Sequence, residues 1–280
     1  MYSNNHSRRF SQVLTLIFTA LLLTLACSFA NPFTLLPDPT ETPTSGPIAT
    51  VTLSGIAGSN SDGSIQIYFD PGSLAAGMKI ETVAAVSSDS DVPYWEILPE
   101  YTVVTLQGYP ITDHHFTSQI FIFPVEELKA ANEGAARIVT SLETLIRQPQ
   151  ELPDMPFLPI NNMSQVFHVH LQYLDFQNGQ GLRYLVEFAQ GILPISNYDL
   201  VYTYQGLTSD GQYYVAAIFP VNHPSLPTDA AVTGNEPPEF TNDFPSYVAD
   251  IVESLNPQSA NTFTPDLTLL DAMMASLEIK

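Results

Sequence analysis

The second half of the chain contains two runs of alternating apolar and polar residues, separated by a glycine-rich turn. The apolar members are Phe167, Val169, Leu171 and Tyr173 on the first run and Leu182, Tyr184, Val186 and Phe188 on the second. A period of two places every second side chain on the same face of a strand. The pattern therefore predicts an antiparallel hairpin over residues 166–188 with these side chains on one buried face.

The turn of this hairpin decides which residues lie opposite each other. If Asn178-Gly179 forms a two-residue turn, His170 lies opposite Glu187. A four-residue loop keeps the faces but places His170 opposite Ala189. Both registers remain open at this point.

The remaining strands and helices are predicted from other segments of the sequence. A second hairpin is predicted between Leu200 and Phe219, with Asp210-Gly211 as a type I′ turn. Further strands are predicted at residues 64–69, 101–106 and 119–123, and helices at residues 126–148, 245–255 and 265–277. This order predicts an α+β fold, in which an antiparallel sheet built from hairpins is covered by helices.

The charge balance argues against one class of partner. The chain has 8 Lys and Arg against 29 Asp and Glu, which gives a net charge of −21. Nucleic-acid binding needs basic side chains that neutralise phosphates, so we expect no nucleic-acid partner. The single cysteine, Cys27, precedes the predicted domain, which therefore has no cysteine for a disulfide, a metal site or a nucleophile.

The N-terminus has the organisation of an export signal. Arg8-Arg9 precede an apolar run from Val13 to Leu25, which is followed by Ala26-Cys27. A basic start, an apolar core and a small residue before the cleavage point are typical of a signal peptide. The run is shorter than the about 20 residues that span a bilayer comfortably.

The domain organisation follows from this start. Residues 1–26 are predicted to be the signal peptide. Residues 27–48 are rich in Pro and Thr and predict a disordered, extended tether. Residues 49–280 are predicted to form one acidic α+β domain, and a split into two subdomains near residues 148–159 is the alternative.

Several short motifs carry a resemblance. Leu25-Ala26-Cys27 resembles the end of a bacterial lipobox. With the Pro/Thr tether, Tyr68-Phe69-Asp70-Pro71, Gly181–Leu185 and Gln205–Tyr214, the chain resembles uncharacterised bacterial surface lipoproteins. The resemblance implies a lipid anchor, palmitate included, on Cys27 and an extracytoplasmic location at the cell membrane or cell surface. It implies no activity, and an ordinary secretory signal cut near Ala26 or Ala30 is the alternative.

Histidines supply one hypothesis about chemistry. His168 and His170 are two residues apart on a strand, so their side chains are predicted to share a face. Glu187 is the predicted third metal ligand, and Asp113-His114-His115 can contribute from a loop. The simpler interpretation, which we prefer, is that these are ordinary residues of an exposed strand face, and we expect no cofactor.

Aromatic residues supply a second hypothesis. Trp95, Tyr202, Tyr204 and Tyr213 are candidates for lining a groove that binds a sugar or a peptide. Packing of tyrosines across paired strands in the core is the alternative interpretation.

The sequence contains none of the common catalytic signatures: neither a Gly-x-Ser-x-Gly elbow, nor a His-Glu-x-x-His helix, nor a glycine-rich phosphate loop. Our leading prediction is a membrane-anchored, non-enzymatic protein that binds a small ligand or an envelope protein. A metal-dependent or carboxylate-dependent hydrolase and a structural envelope component are the two alternatives.

Overall fold

A computed structural model describes residues 55–280 of the chain. The predicted signal peptide (1–26), the tether (27–48) and Cys27 lie outside the described residues. The 55–280 part has the predicted α+β architecture, with antiparallel sheets and packed helices.

Within residues 55–280, ten strands form two antiparallel sheets. The strands are β1 (Ile56–Ser59), β2 (Gln66–Phe69), β3 (Gly77–Val83), β4 (Tyr101–Gln107), β5 (Gln119–Pro124), β6 (Ser164–Tyr173), β7 (Gly179–Ala189), β8 (Val201–Thr208), β9 (Tyr213–Pro220) and β10 (Glu278–Ile279). The seven-stranded sheet has the order β3-β4-β5-β9-β8-β7-β6, and the three-stranded sheet has the order β1-β2-β10. Because β5 pairs with β9, the large sheet takes strands from both sides of residues 148–159.

The described part of the chain also contains five α-helices. They are α1 (Val125–Ala131), α2 (Glu133–Arg147), α3 (Pro238–Asn242), α4 (Phe244–Leu255) and α5 (Leu267–Ala275). No helix among residues 55–280 is long and apolar enough to cross a membrane.

The large sheet is buried on both faces. One apolar core joins the strands to α1 and α2, with Leu128, Val139 and Leu142 packed near Tyr184 and Tyr214. A second core joins the other face to the small sheet, α4 and α5. Burial of both faces explains why the central strand β9 is a nearly continuous apolar run.

The helix predicted at residues 126–148 is interrupted at Asn132, which separates α1 from α2. Its Oδ1 accepts hydrogen bonds from the amides of Gly134 and Ala135 at 2.8 and 3.1 Å. Its Nδ2 donates to the carbonyls of Tyr94 and Ile97 at 2.7 and 3.1 Å. Asn132 therefore caps the start of α2 and ties it to the segment before β4.

The hairpin of β6 and β7 exists, but both predicted registers are wrong. Val169 lies opposite Leu185, and the turn is Gln177-Asn178, because Phe176 and Gly179 exchange hydrogen bonds across it. A bulge between Val169 and Gln172 shifts the register. As a result, Val169 packs in the core of the small sheet, whereas the partly buried Leu171 and Tyr173 pack against the core of α2.

His170 occupies this bulge with a positive φ of 56°. The bulge lies on β6, the edge strand of the large sheet, and the C-terminal end of α4 covers it. Asn256 Oδ1 accepts a hydrogen bond from the His170 amide at 3.2 Å, and His170 Nε2 lies 2.8 Å from the Leu255 carbonyl oxygen. The edge strand and α4 are thereby joined at this point.

The second hairpin, β8 and β9, is confirmed, with Leu207 opposite Tyr214. Its turn is not type I′, because Gly211 has a positive φ of 71° while Asp210 does not. Asp210 Oδ1 instead accepts hydrogen bonds from the Thr208 hydroxyl and the Gln212 amide, at 2.6 and 3.0 Å. A wider loop closed by side chains replaces the two-residue turn.

A buried ion pair links the sheet to α5. Arg183 on β7 is 5% exposed, and its Nε and Nη2 donate to the Asp271 carboxylate at 2.9 and 3.1 Å. Arg183 also donates to the His170 carbonyl and to Gln172 Oε1, and the Tyr202 hydroxyl donates to Asp271 at 3.0 Å. Four of the five N–H groups of the guanidinium therefore donate hydrogen bonds, and one N–H of Nη1 has no partner among the described residues.

Removing one partner of this pair leaves the other charge buried. We expect Arg183→Met and Asp271→Leu each to lower the free energy of unfolding by about 3–5 kcal/mol. The double variant should cost less than the sum of the two, because it removes both charges together. Urea unfolding monitored by circular dichroism measures all three values.

The exposed pair of Lys79 and Glu81 provides the control. Its side chains are 59% and 48% exposed, so Lys79→Met should change the free energy of unfolding by less than about 0.5 kcal/mol. Single changes at Arg183 and Asp271 that matched this control would contradict the structural role of the buried pair.

Candidate functional site

A cavity of about 240 Å³ lies where β7 ends and its connection to β8 begins. Its polar lining residues are His115, Asn162, Glu187, Gln190 and Asp199. Four parts of the chain contribute these residues: the β4–β5 connection, the residues before β6, the end of β7, and the β7–β8 connection. Two carboxyl groups and one imidazole therefore meet in one small concave site.

Glu187 lies at the floor of this cavity and is only 2% exposed. It is on the same face of β7 as Arg183 and Leu185. Its Oε2 accepts a hydrogen bond from the Ser196 amide at 3.1 Å. Among residues 55–280, Oε1 has no hydrogen-bond partner, and because it is not one of the fully buried unpartnered atoms, a group that enters the cavity can reach it.

Burial raises the pKa of Glu187 to about 8, and the nearby Asp199 carboxylate adds to the increase. The single hydrogen bond from Ser196 opposes the increase but does not cancel it. At neutral pH the side chain is therefore mostly protonated, and the carboxyl group can donate as well as accept a hydrogen bond.

Asp199 is the second carboxyl group of the site, and it is 8% exposed. Its Oδ1 lies 3.0 Å from His115 Nδ1. The His115 amide donates to the Tyr198 carbonyl at 3.0 Å, and His114 Nε2 lies 3.0 Å from the Leu200 carbonyl oxygen. These contacts fasten the β4–β5 connection to the start of β8 and hold the imidazole at the cavity mouth.

The β7–β8 connection, which contributes residues to the cavity lining, carries three exposed apolar side chains. Ile192, Leu193 and Tyr198 are 63%, 42% and 40% exposed, and all three belong to the β7–β8 connection. Leu193 also lines the cavity. Exposed apolar residues concentrated next to a cavity are typical of a binding surface rather than of an ordinary loop.

The predicted metal ligands do not come together. His168 lies opposite Val186, and its Nε2 is 2.9 Å from Glu151, whereas His170 faces the end of α4. Glu187 lies opposite Phe167 and points to the other face of the sheet from His168. The predicted alignment of His170 with Glu187 is therefore wrong, because of the bulge in β6. Across residues 55–280 the structure contains no group of three or more His, Cys, Asp or Glu side chains suited to a metal ion.

The predicted binding aromatics are also placed differently from expectation. Tyr202 and Tyr204 are fully buried, and their hydroxyls donate to Asp271 and to the Leu174 carbonyl. Tyr213 is partly buried against the same core. Trp95 is partly buried in the single turn Tyr94–Glu96. Tyr202 and Tyr204 therefore pack the core, which corrects their assignment to a groove.

The raised pKa of Glu187 gives a pH dependence with a defined sign. The folded state keeps the Glu187 proton up to pH of about 8, whereas the ordinary value is 4.5. Between these values unfolding releases a proton, so the free energy of unfolding falls as the pH rises. We expect Glu187→Gln, which imitates the protonated form, to be more stable than wild type by an amount that grows to as much as roughly 5 kcal/mol near pH 8.

Thermal or urea unfolding at pH 5, 6, 7 and 8 measures this difference. Glu253, an exposed residue of α4, provides the matched control, and Glu253→Gln should show no growing difference from wild type. A Glu187→Gln variant whose advantage over wild type did not change with pH would show that Glu187 is ionised in the folded protein.

Comparison with known proteins adds no assignment to this site. No family model matches the chain, and no curated protein or solved structure was found to be significantly similar to it. The resemblance to bacterial surface lipoproteins therefore stays a prediction, and the geometry around Glu187 is the ground for proposing a function.

Proposed function

We propose that the folded part of this chain is a non-enzymatic ligand-binding domain whose ligand enters the cavity at Glu187. One observation carries the proposal: a carboxyl group that is only 2% exposed lines a cavity and keeps one oxygen, Oε1, without a hydrogen-bond partner among residues 55–280. Oε1 is not among the side-chain atoms that are both fully buried and unpartnered, so a ligand in the cavity can reach it. Such a ligand can form a hydrogen bond with this oxygen.

The surroundings of Glu187 support the same conclusion. Asp199 and His115 place further hydrogen-bonding groups at the mouth, and the contacts of His114 and His115 hold them in position without a ligand. Such preorganisation reduces the entropy lost on binding. The exposed Ile192, Leu193 and Tyr198 provide apolar surface that a ligand can cover.

A carboxylate-dependent hydrolase is the second candidate, and one observation favours it. Glu187 is protonated at neutral pH, while the neighbouring Asp199 contacts an imidazole and is less buried. Two carboxyl groups in such different environments can serve as general acid and general base. The same pair also suits simple binding, and the absence of a nucleophile signature in the sequence makes binding our choice.

Binding is tested by nuclear magnetic resonance on the ¹⁵N-labelled protein with mixtures of small amines, polyols and carboxylic acids. We expect at least one mixture to shift the amide signals of Ser196 and Asp199. Gln190→Trp should abolish the shifts, because Gln190 is exposed and lines the cavity, so a large side chain there blocks it.

Gln180, which is exposed near the start of β7, provides the matched control. Gln180→Trp should leave the shifts unchanged. No shift with any mixture, or equal shifts in Gln190→Trp, would refute binding at this cavity. Hydrolysis of a bound ester or glycoside that is lost in Glu187→Gln, with binding retained, would make the hydrolase the correct function.

We further propose that the domain is held outside the cytoplasm by a lipid on Cys27. The support is the sequence around Cys27 and the Pro/Thr-rich residues that follow it. Two or more acyl chains are needed for stable anchoring, and lipoprotein maturation supplies them. The domain carries a strong negative charge, so direct attraction to anionic lipid headgroups is not available as a second anchor.

Cys27→Ser is expected to remove the lipid and release the protein from the membrane fraction. Metabolic labelling with a palmitate analogue, followed by mass spectrometry of the mature N-terminus, measures the change. Ser28→Ala is the control and should be labelled like wild type. A Cys27→Ser protein that still carries the same lipid mass would contradict the anchor.

A further inference from the structure

The charges around the Glu187 cavity restrict what can bind there. Its titratable lining residues are Glu187, Asp199 and His115, and no Lys or Arg lines it. An anionic ligand would meet two carboxyl groups with no cation to offset them. A positively charged group is attracted by both carboxyl groups, since the low-dielectric site strengthens the interaction.

The carboxyl oxygens that have no hydrogen-bond partner among the described residues also favour a cation. Glu187 Oε1 has no partner among the described residues, and Asp199 uses only Oδ1, toward His115. Both open positions are carboxylate oxygens once Glu187 is ionised, so they act as acceptors. An ammonium group has three donors and no acceptor, so its hydrogen-bonding capacity matches two carboxylate oxygens that line one cavity.

A groove of mixed polarity adjoins the cavity. Met163 and Phe188 line both the cavity and this space of about 290 Å³, which is also lined by apolar residues, Phe157 and Ile160 among them, and by the polar residues Asp154, Asn161, Ser164 and Gln165. Aromatic and methionine side chains adapt well to aliphatic chains. A ligand whose polar end occupies the cavity can therefore place an apolar body of several carbon atoms along this groove.

We propose that the ligand of this site is an amphipathic ammonium compound, with its charged nitrogen between Glu187 and Asp199 and its apolar body on Met163 and Phe188. The inference rests on the proposed ligand-binding function and names the chemical class of the ligand. Apolar burial supplies affinity, and the carboxyl pair supplies selectivity for the cation.

Binding of a cation is expected to be linked to proton release. Burial raises the pKa of Glu187 to about 8, so the free protein must lose this proton when the ammonium group binds. The titratable groups that face Glu187 are Asp199 from the β8 start, Tyr247 from α4, and His115 beyond Asp199. We expect affinity to increase about tenfold per pH unit up to pH of about 8 and then level off.

Calorimetry with three probes of equal chain length tests the proposal on the same protein. The probes are hexylammonium, 1-hexanol and hexanoate, measured at pH 6, 7 and 8. We expect hexylammonium alone to bind, with release of close to one proton at pH 7 and tighter binding at pH 8. Titration in buffers of different ionisation enthalpy gives the number of protons released.

Variants connect the binding to the named residues. Glu187→Gln should weaken hexylammonium binding at pH 8 by tenfold or more and remove the proton release, because glutamine cannot ionise. Asp199→Asn should also weaken binding. Asp250, an exposed carboxylate of α4, is the charge control, and Asp250→Asn should leave the affinity within twofold.

The possible results separate this inference from the proposed function. Hexanol binding in preference to hexylammonium, or affinity that decreases from pH 6 to pH 8, would overturn the ammonium proposal while the cavity remained a binding site. Unchanged binding in Glu187→Gln would overturn it too, because the cation would then be held elsewhere. If none of the three probes binds and the fragment mixtures also fail, both the ligand class and the binding function are wrong.

Discussion

The buried guanidinium of Arg183 holds together parts of the fold that are far apart in sequence. A charge in an apolar interior is tolerated only when it is fully paired and hydrogen-bonded. Asp271 on α5 supplies the countercharge, while the bulge in β6 supplies the His170 carbonyl and brings Gln172 into reach. A regular β6 strand would not direct the His170 carbonyl and the Gln172 side chain toward Arg183. The structure therefore depends on three linked features: the bulge in β6, the position of α5 and the charge of Arg183 on β7.

Glu187 lies four residues beyond Arg183 on the same face of the same strand, and it has a different environment. Arg183 is surrounded by acceptors, whereas Glu187 receives one amide hydrogen bond and faces a cavity. Both side chains are almost completely buried. Hydrogen bonds and an ion pair within the fold compensate for the burial of the Arg183 charge. The burial of Glu187 is compensated by only one hydrogen bond within the fold. This contrast is the physical reason for placing the functional site at Glu187.

The sequence was sufficient for the elements but not for their register. Period-two alternation predicted the first hairpin, and the turn signal Asp210-Gly211 predicted the second. Pro265 with Asp266 marked the start of α5, where Asp266 caps the helix. Alternation carries no information about the bulge at His170, since the bulge depends on Arg183 and on contacts with Asn256, 86 residues away.

For the candidate site, Glu187 and the loop containing His115 were predicted from the sequence, but as metal ligands. Asp199 was missed because its pairing with His115 spans 84 residues, and Tyr202 and Tyr204 were misplaced because strand periodicity does not distinguish a core face from an exposed groove.

The contact between α4 and the bulge of β6 affects how readily two copies of this chain associate. An uncovered strand at the edge of a sheet offers unpaired amides and carbonyls to the same strand of a second molecule, which is a common route to aggregation. At His170 the amide is occupied by Asn256, the imidazole by Leu255, and the left-handed backbone breaks the straight line of the strand. Because this contact blocks the strand edge, loss of the Asn256 side chain should first show itself as self-association rather than as unfolding.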